Sequence, residues 1–294
     1  MSLLDSISSQ DYTNYEIVIC EDASPLRKQI RDIVSKYITT FPVDISYYEN
    51  KSNLGYDGNI RNLISKAKGE YCFFMGNDDL MYKDALSSVA SAVERNKNIG
   101  VLLRTYASFD GTPENINQIF KYFKKETFFP AGADTITTFY RRSVVISGLV
   151  IKREEALGYS TEKFDGTLLY QLYLVANILT KMNGVFSPKI LALYRNGGVP
   201  DFGNSNKEKG LFVPNVQTPE SSIHFIKGML SIAKWTEEKR GIKIFNRIKT
   251  DIGNYCYPIL SIQAKQPFRV FIKYVFQFAV LGFWKNKMFY IYFL

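Results

Sequence analysis

Apolar positions in the first part of the chain alternate between the spacing of a helix and that of a buried strand. Leu3, Leu4 and Ile7 fit a short helix, and the apolar run that ends at Cys20 predicts a strand. The alternation continues with a helix over 30–37, a strand over 43–48, a helix over 60–67 that ends at Gly69, a strand up to Met75 and a helix over 86–93. Strands that alternate with helices favour an α/β fold with a mostly parallel sheet flanked by helices.

The second half of the chain is less regular. Apolar runs over 101–106 and 144–151 predict strands with a helix around 115–124 between them, and 167–181 predicts a buried helix followed by one or two strands over 185–194. Residues 196–219 are rich in Gly, Pro, Asn and Lys and predict a loop, either a lid over a ligand or a plain surface loop. Helical patterns continue to the end, so we divide the chain into an α/β domain over 1–218 and a helical extension over 219–294.

The segment 69–79 carries the most informative chemistry, because an apolar strand leads directly into Asp78 and Asp79. In open α/β sheets, ligands bind at the carboxyl ends of the strands. Aspartates at such an edge suit a hard cation such as Mg²⁺ or Mn²⁺, which takes oxygen ligands and shares phosphate groups with the protein. The alternative is that one of the two aspartates N-caps the helix that starts near Tyr82.

Composition limits the class of protein. The chain has 294 residues, of which 46% are hydrophobic and 22% charged, enough for one large domain or one domain with an appendage. Its three cysteines, Cys20, Cys72 and Cys256, are too few and too scattered for a zinc site or a disulfide framework. The chain does not open with a secretion signal, so we expect it in a reducing cytoplasm.

The net charge of +9 indicates an anionic partner, and the positive charge lies towards the C-terminal end. In residues 268–294, lysine and arginine alternate with many aromatic residues, a mixture that suits the headgroup region of an anionic membrane. The apolar run there is far shorter than the roughly 20 residues that span a bilayer, so we expect the segment to lie on the inner face of the cell membrane. The alternative is a packed helix with a solvated basic face. Nucleic acid is disfavoured, because no binding module accompanies the charge.

Short motifs between about residues 4 and 195 follow one another in a specific order. They are the helix 3–10, the strand and turn 15–24, Asn53-Leu54-Gly55, Arg61-Asn62, 67–71, Asn77-Asp78-Asp79, Phe164-Asp165, 188–191 and Tyr194-Arg195. Together they resemble the family 2 glycosyltransferases of the GT-A fold. The resemblance implies a Rossmann-like nucleotide-diphospho-sugar transferase domain over 1–218, which moves a sugar from a nucleotide diphosphate sugar with inversion at the anomeric carbon.

The resemblance also implies roles for particular residues. Asp78, together with Asp79, would hold the divalent cation, which acts as a Lewis acid on the leaving diphosphate. Donor binding is implied for Glu21, Asp22, Asn53, Arg61 and Asp78. The alternatives are that Asp22 only shapes the turn after its strand and that Arg61 lies on a solvated helix face.

The chain departs from the family pattern at three places. The family's first strand would precede the helix at Leu3, so we expect the strand from Glu16 to have an unpaired edge. Gly76 replaces the first acid of the family's metal motif. An inverting transfer needs a carboxylate base, and the catalytic position of the family's acidic pair is occupied by Gln171, which cannot act as one. Asp165 is the nearest carboxylate, with helix N-capping as its alternative role.

His224 is the only histidine, and the resemblance implies that it adds a ligand to the metal or diphosphate; a partly buried structural histidine is the alternative.

We therefore expect an inverting, metal-dependent glycosyltransferase that acts on a saccharide or lipid-linked acceptor in bacterial surface polysaccharide biosynthesis. Two other interpretations stay open. One is a non-catalytic descendant of the family that binds a nucleotide sugar or a saccharide, and the other is a peripheral membrane scaffold.

Overall fold

Helices and strands alternate in the first half of the chain, as predicted. The computed structural model describes residues 2–197, 202–255 and 264–293. The first elements are α1 (Leu3–Ser8), β1 (Ile17–Glu21), α2 (Arg27–Ile38), β2 (Ile45–Glu49), α3 (Gly55–Lys66), β3 (Tyr71–Phe73), β4 (Leu80–Met81) and α4 (Ala85–Arg95). They are followed by β5 (Ile99–Phe109), β6 (Ile116–Phe120), β7 (Thr127–Phe129), α5 (Ala133–Tyr140), β8 (Val150–Lys152), α6 (Arg153–Gly158), α7 (Tyr170–Ile178), β9 (Asn183–Arg195), α8 (Pro219–Arg240), α9 (Phe245–Asn254), α10 (Phe268–Val280) and α11 (Lys287–Phe293).

The described strands form two sheets. β1 and β2 make a parallel pair of their own, so the unpaired edge predicted for the first strand is present. The larger sheet has the order β3-β8-β5-β9-β4, with β6 added to β5 and β7 added to β9. Only its β5/β9 pair is parallel, so the prediction of a mostly parallel sheet is corrected to a mixed one. The physical reason is that short connections such as 110–115 join antiparallel neighbours, whereas parallel neighbours need long crossovers.

Two predicted elements are wrong. The helix expected around 115–124 is the strand β6, which pairs with β5 through a hairpin closed by the Asp110 N–H donating to the Asn115 carbonyl at 3.2 Å. The strand expected over 144–151 shortens to β8, and a 3₁₀ turn precedes it at Arg141–Ser143. Carbonyl oxygens of Arg142, Val145 and Ser147 accept from the buried Arg104 guanidinium instead of from a neighbouring strand. Buried carbonyl groups need a hydrogen-bond donor, and a side-chain N–H group can take the place of a backbone N–H group of a neighbouring strand.

The largest apolar core lies around α7, in which every residue is buried. The predicted buried helix is therefore confirmed. Residues of α3, β5, α5, α8, α9 and α10 join the same core. A helix that is apolar on all sides must be surrounded by other elements, and here the helices after residue 218 supply part of that surround. None of the described helices has both the length and the apolar content to span a bilayer.

Cys20 and Cys72 are free thiols in partly buried positions. Burial raises the pKa of the Cys20 thiol to about 11 and that of Cys72 to about 12. Both are therefore protonated and unreactive at neutral pH. Cys256 lies outside the described residues.

Candidate functional site

The turn 76–79 connects β3 to β4 at one edge of the larger sheet. β3 and β5 are both antiparallel to β8, and β5 is parallel to β9, so β3, β5 and β9 run in the same direction. Their carboxyl ends, including Phe109 and Arg195, therefore share the edge that carries Asp78 and Asp79. This is the edge at which sheets of this class bind ligands.

Asp79 is the structural member of the aspartate pair. Its buried carboxylate accepts from the Ser147 hydroxyl at 2.5 Å and from the Arg195 N–H at 3.0 Å, and the Ser147 hydroxyl in turn accepts from the Gly76 N–H at 2.8 Å. Burial raises the pKa of Asp79 above its ordinary value. The capping alternative is wrong for both aspartates, because β4 intervenes and Asp84 precedes the first residue of α4. Asp79 ties the turn to the end of β9.

Asp78 is the exposed member of the pair. Its backbone carbonyl accepts from the Arg195 Nε at 3.0 Å, and no hydrogen bond or ion pair between described residues engages its carboxylate. Tyr194 stands close by, since burial first and then the charges of Asp79 and Asp78 raise the pKa of its phenol. An available carboxylate, a guanidinium and a phenol therefore meet at this edge.

Gly76 packs tightly against both aspartates. A Cβ atom at this position would lie 3.1 Å from an Asp78 oxygen, 3.2 Å from an Asp79 oxygen and 3.2 Å from the Ser147 hydroxyl. An acidic side chain there would have to displace these groups. The absence of a side chain at Gly76 therefore lets the turn pack closely against both aspartates.

Asp22, Asn53 and Glu208 surround the amino end of α3. Asp22 accepts from the N–H groups of Leu54 at 2.8 Å and Gly55 at 3.0 Å. The Asn53 side chain accepts from the Gly55 N–H at 2.9 Å, and Glu208 accepts from the N–H groups of Tyr56 at 2.7 Å and Gly203 at 3.0 Å. Acids and amides at this end satisfy donors that the helix leaves unpaired. The hydrogen bonds of the Asp22 carboxylate run to Asn50 and to the amino end of α3, not to the turn 22–25 that was weighed as its alternative role. The helix-capping role of Glu208 had no local signal, since Tyr56 is 152 residues away in sequence.

Glu21 is buried and accepts from the backbone of Ala23 and Ser24 and from the Arg27 guanidinium. Burial acts to raise the pKa of Glu21, but these donors outweigh it and hold the pKa below its ordinary value. Both carboxylate oxygens are engaged within the turn after β1, so Glu21 stabilises the backbone that presents Asp22.

Arg61 and Asp165 form a bidentate ion pair. The two guanidinium nitrogens lie 2.7 and 2.9 Å from the two carboxylate oxygens, and one of them also donates to the Thr161 carbonyl at 2.9 Å. The solvated helix face considered for Arg61 is therefore wrong. So is the capping alternative for Asp165, because the α7 amino end is satisfied by another carboxylate, Asp57. A base role for Asp165 requires this pair to open.

Asp57 is buried on α3, four residues before Arg61. Its carboxylate accepts from the N–H groups of Thr167 at 3.0 Å, Leu168 at 2.9 Å and Tyr170 at 2.8 Å, where α7 begins. Burial raises the pKa of Asp57 to about 6. Sequence reasoning missed this residue, because in sequence it is an ordinary acid in the first turn of α3.

Gln171 and His224 each contact a backbone carbonyl outside the aspartate turn. The buried Gln171 amide donates to the Val144 carbonyl at 2.9 Å, and its oxygen is buried without a hydrogen-bond partner. The His224 Nε2 lies 2.9 Å from the Gly166 carbonyl oxygen, and the ring packs edge-on against Phe212. Over 2–197, 202–255 and 264–293, no three acidic, histidine or cysteine side chains gather as a metal site would require. The structure thus brings together Asp78 and Asp79, but not His224.

Comparison with known proteins gives a family and several relatives. The glycosyl transferase family 2 model matches residues 2–148, half of the chain. Abequosyltransferase RfbV of Salmonella typhimurium is 30% identical over 97 residues, covering 33% of this chain and 29% of its own length. The poly(ribitol-phosphate) beta-N-acetylglucosaminyltransferase TarS of Staphylococcus aureus is 30% identical over 105 residues, 35% of this chain and 18% of its own. The matched regions therefore span less than a third of these two relatives.

Solved structures confirm the GT-A fold. Residues 1–349 of S. aureus TarS superpose with a TM-score of 0.63 at 16% identity, covering 94% of this chain and 75% of that one. The mannosyltransferase PcManGT of Pyrobaculum calidifontis, in complex with GDP-Man and Mn²⁺, superposes with a TM-score of 0.53 at 14% identity, covering 99% and 77%. The family match and the shared fold agree with the motif order along the chain. This chain belongs to the family 2 glycosyltransferases.

Proposed function

We propose that this protein is an inverting glycosyltransferase that moves a sugar from a nucleotide diphosphate sugar to a saccharide or lipid-linked acceptor in surface polysaccharide biosynthesis. The observation that carries the proposal is the exposed Asp78 carboxylate beside Arg195 at the carboxyl edge of the sheet. Relatives named for abequosyl, N-acetylglucosaminyl and amylovoran biosynthesis support the transfer chemistry. TarS has been solved with UDP and PcManGT with GDP-Man, which supports a nucleotide-linked donor.

The residues at the edge fit a divalent cation. Mg²⁺ in phosphate-transfer sites is held by one or two carboxylates and by oxygens of the substrate. Asp78 offers such a carboxylate, with Asp79 behind it to hold the turn in place. When bound, Mg²⁺ or Mn²⁺ offsets the negative charge of the leaving nucleoside diphosphate. Arg195 adds a positive charge that the protein itself supplies.

Donor and acceptor roles for the other residues are part of the same proposal. Asp22 and Asn53 sit at the amino end of α3 and would contact the nucleoside through their remaining lone pairs. Arg61 would reach the diphosphate on release from Asp165, and Asp165 would then accept the proton of the acceptor hydroxyl. The two roles are coupled, because the ion pair holds both groups inactive while it is closed.

Metal removal tests the proposal. Purified protein is incubated with UDP- and GDP-sugars and Mn²⁺, and release of UDP or GDP is measured over time. We expect turnover that stops in EDTA and returns with Mn²⁺ or Mg²⁺. Turnover that continues unchanged in EDTA would contradict the metal-dependent mechanism.

A second function is favoured by the buried, hydrogen-bonded Gln171 and by the closed Arg61–Asp165 pair, which leave neither predicted catalytic position with a free carboxylate. In this alternative the protein binds a nucleotide sugar or a saccharide without transferring it. Calorimetry separates the two functions: binding of UDP or GDP with no detectable turnover supports the binding protein, and turnover excludes it.

We also propose that α10 and the segment after it contact the inner face of the cell membrane. Phe268, Ile272, Phe276 and Val280 form an exposed stripe along α10, and Phe268, Phe276 and Val280 are 76, 67 and 70% exposed. The opposite face, with Tyr274 and Phe278, packs into the core. The sequence contains no acidic residue after Asp251. An exposed apolar stripe among cations matches an anionic lipid surface in both polarity and charge.

Vesicle co-sedimentation tests this contact. We expect binding to vesicles of phosphatidylcholine with about a third phosphatidylglycerol and much weaker binding to pure phosphatidylcholine, since each lysine or arginine contributes about 1 kcal/mol near an anionic surface. Phe276→Ser with Val280→Ser should weaken binding at least tenfold, because a buried large apolar side chain contributes about 1.5–3 kcal/mol. The matched control is Ile33→Ser with Ile38→Ser, two exposed positions on α2. Equal losses in both double variants would contradict the proposal.

A further inference from the structure

A groove of about 410 Å³ opens on the face of the sheet formed by β6, β5 and β9. Its size lies within the range of small-molecule sites, about 300–1,000 Å³. Three aromatic side chains and three amide side chains account for most of its lining: Tyr106, Phe120, Tyr194, Asn117, Gln118 and Asn196. Every side chain that lines the groove is uncharged. The groove is therefore suited to a neutral ligand with both apolar and hydrogen-bonding surfaces.

Strand register places these side chains in rows. Gln118, Ser108 and Tyr194 are neighbours across the three strands, and Phe120 and Tyr106 are neighbours one row away on the same face. The Phe120 and Tyr106 rings stack with centroids 4.6 Å apart and planes 11° apart. The Arg104 guanidinium lies 4.9 Å from the Tyr106 centroid, and its other contacts are to backbone carbonyls. The Tyr106 ring is thus held between the Phe120 ring and the Arg104 guanidinium.

The amide groups differ in how much hydrogen-bonding capacity they keep. The Asn117 amide nitrogen donates to Asp110, which orients its oxygen, and Gln118 is exposed on β6. An amide offers a donor and an acceptor side by side, which matches two adjacent hydroxyl groups. Aromatic rings in turn pack against the apolar C–H face of a sugar ring. Among neutral ligands, a saccharide has both kinds of surface.

The groove adjoins the aspartate turn. Tyr194, the last residue but one of β9, lines it. The next residue, Arg195, contacts both aspartates through its Nε and N–H groups. A ligand in the groove would therefore lie next to the proposed donor site.

We propose that this groove binds a neutral saccharide and that the saccharide is the acceptor of the transfer. The role of the saccharide as acceptor rests on the proposed function, whereas saccharide binding in the groove does not. Phe120, backed by Tyr106, would provide the stacking surface, Tyr194 the wall towards the reacting centre, and Gln118 and Asn117 the hydroxyl contacts. The groove would then determine acceptor specificity, while Asp78 determines the handling of the donor.

Glycoside titrations test the inference without any turnover. The probes are the p-nitrophenyl glycosides of glucose, galactose, mannose and N-acetylglucosamine, with p-nitrophenyl glucuronide as the anionic comparison, and binding is followed by ligand-observed NMR. We expect at least one neutral glycoside to saturate and the glucuronide to bind more weakly. Gln118→Ala with Tyr194→Ala should weaken the neutral glycoside roughly tenfold or more. The matched control is Ile119→Ala, which removes an exposed side chain of β6 that does not line the groove.

Two outcomes would overturn the inference. One is that none of the neutral glycosides saturates, or that the double variant binds as the control does. The other is that the double variant keeps glycoside affinity but loses affinity for UDP-glucose and GDP-mannose in Mn²⁺, which would assign the groove to the donor's sugar. Glycoside binding in a protein without turnover would leave the saccharide site intact and contradict only the transferase function.

Discussion

Asp78→Asn is expected to lower the rate of donor turnover by about 10²–10³-fold, the usual cost of removing one group that stabilises developing charge. The substitution keeps the size of the side chain and removes the negative charge that would hold the cation. Asp78 is exposed and its carboxylate has no partner among the described residues, so the folded structure should be unchanged. The measurement is the initial rate of UDP or GDP release at saturating Mn²⁺, together with the Mn²⁺ concentration that gives half the maximal rate.

Asp84→Asn is the matched control for Asp78. It makes the same chemical change at an exposed position six residues along, just before α4, in the left-handed conformation that asparagine tolerates well. We expect its turnover to match that of the unmodified protein. If Asp78→Asn keeps turnover within about threefold of this control, the assignment of the donor site to the sheet edge is wrong.

Asp57→Ala is expected to destabilise the protein by about 3–6 kcal/mol, because it leaves buried N–H groups of Thr167, Leu168 and Tyr170 without an acceptor. This is a large part of the roughly 5–15 kcal/mol that stabilises a typical domain. The measurement is urea unfolding at pH 7. Asp32→Ala, at an exposed position on α2, is the control and should change stability by less than about 0.5 kcal/mol. A loss below about 1 kcal/mol at Asp57 would show that water or another group satisfies these donors.

Asp57→Asn isolates the charge of this carboxyl group. Burial raises the pKa of Asp57 from 3.8 to about 6, so the folded protein binds this proton at a higher pH than the unfolded chain does. The protonated Asp57 carboxyl group therefore contributes stability that is fully present below about pH 4 and is lost as the pH rises through about 6. Over that range it amounts to about 3 kcal/mol. The difference in unfolding free energy between the unmodified protein and Asp57→Asn should change by this amount between pH 4 and pH 7, and a constant difference would contradict the buried charge.

Local patterns predicted most of the first half of the fold correctly. The helices α3 and α4 and the strand β1 follow from apolar spacing, because the backbone geometry of a helix or strand decides which residues share one face. β6 shows where this fails. Its sequence, INQIF, places Ile116, Ile119 and Phe120 at helical spacing, yet pairing with β5 makes the segment a strand. The same holds for 144–149, whose carbonyls bond to Arg104 from a different strand.

The candidate site also has features that the sequence predicts and features that only the structure shows. Asp78 and Asp79 were predictable as a ligand-binding pair at a strand end, but the sequence does not show which of them is buried. The structure separates them, because only Asp79 meets Ser147 and the β9 backbone and is buried by them. Arg61 and Asp165 were each predicted to be functional, and nothing in either motif shows that they pair across 104 residues.

The sequence by itself determined most elements of the first half, the family and the position of Asp78 at a strand end, since all three depend on residue type and short spacing. Tertiary structure decided which carboxylates remain available. Asp57, Asp165 and Glu208 are all taken up by donors more than 100 residues away. A carboxylate excluded from water must find such donors or lose its charge, and the donors it finds depend on which elements pack together. Asp78 keeps its carboxylate available at the sheet edge because none of the described elements covers it.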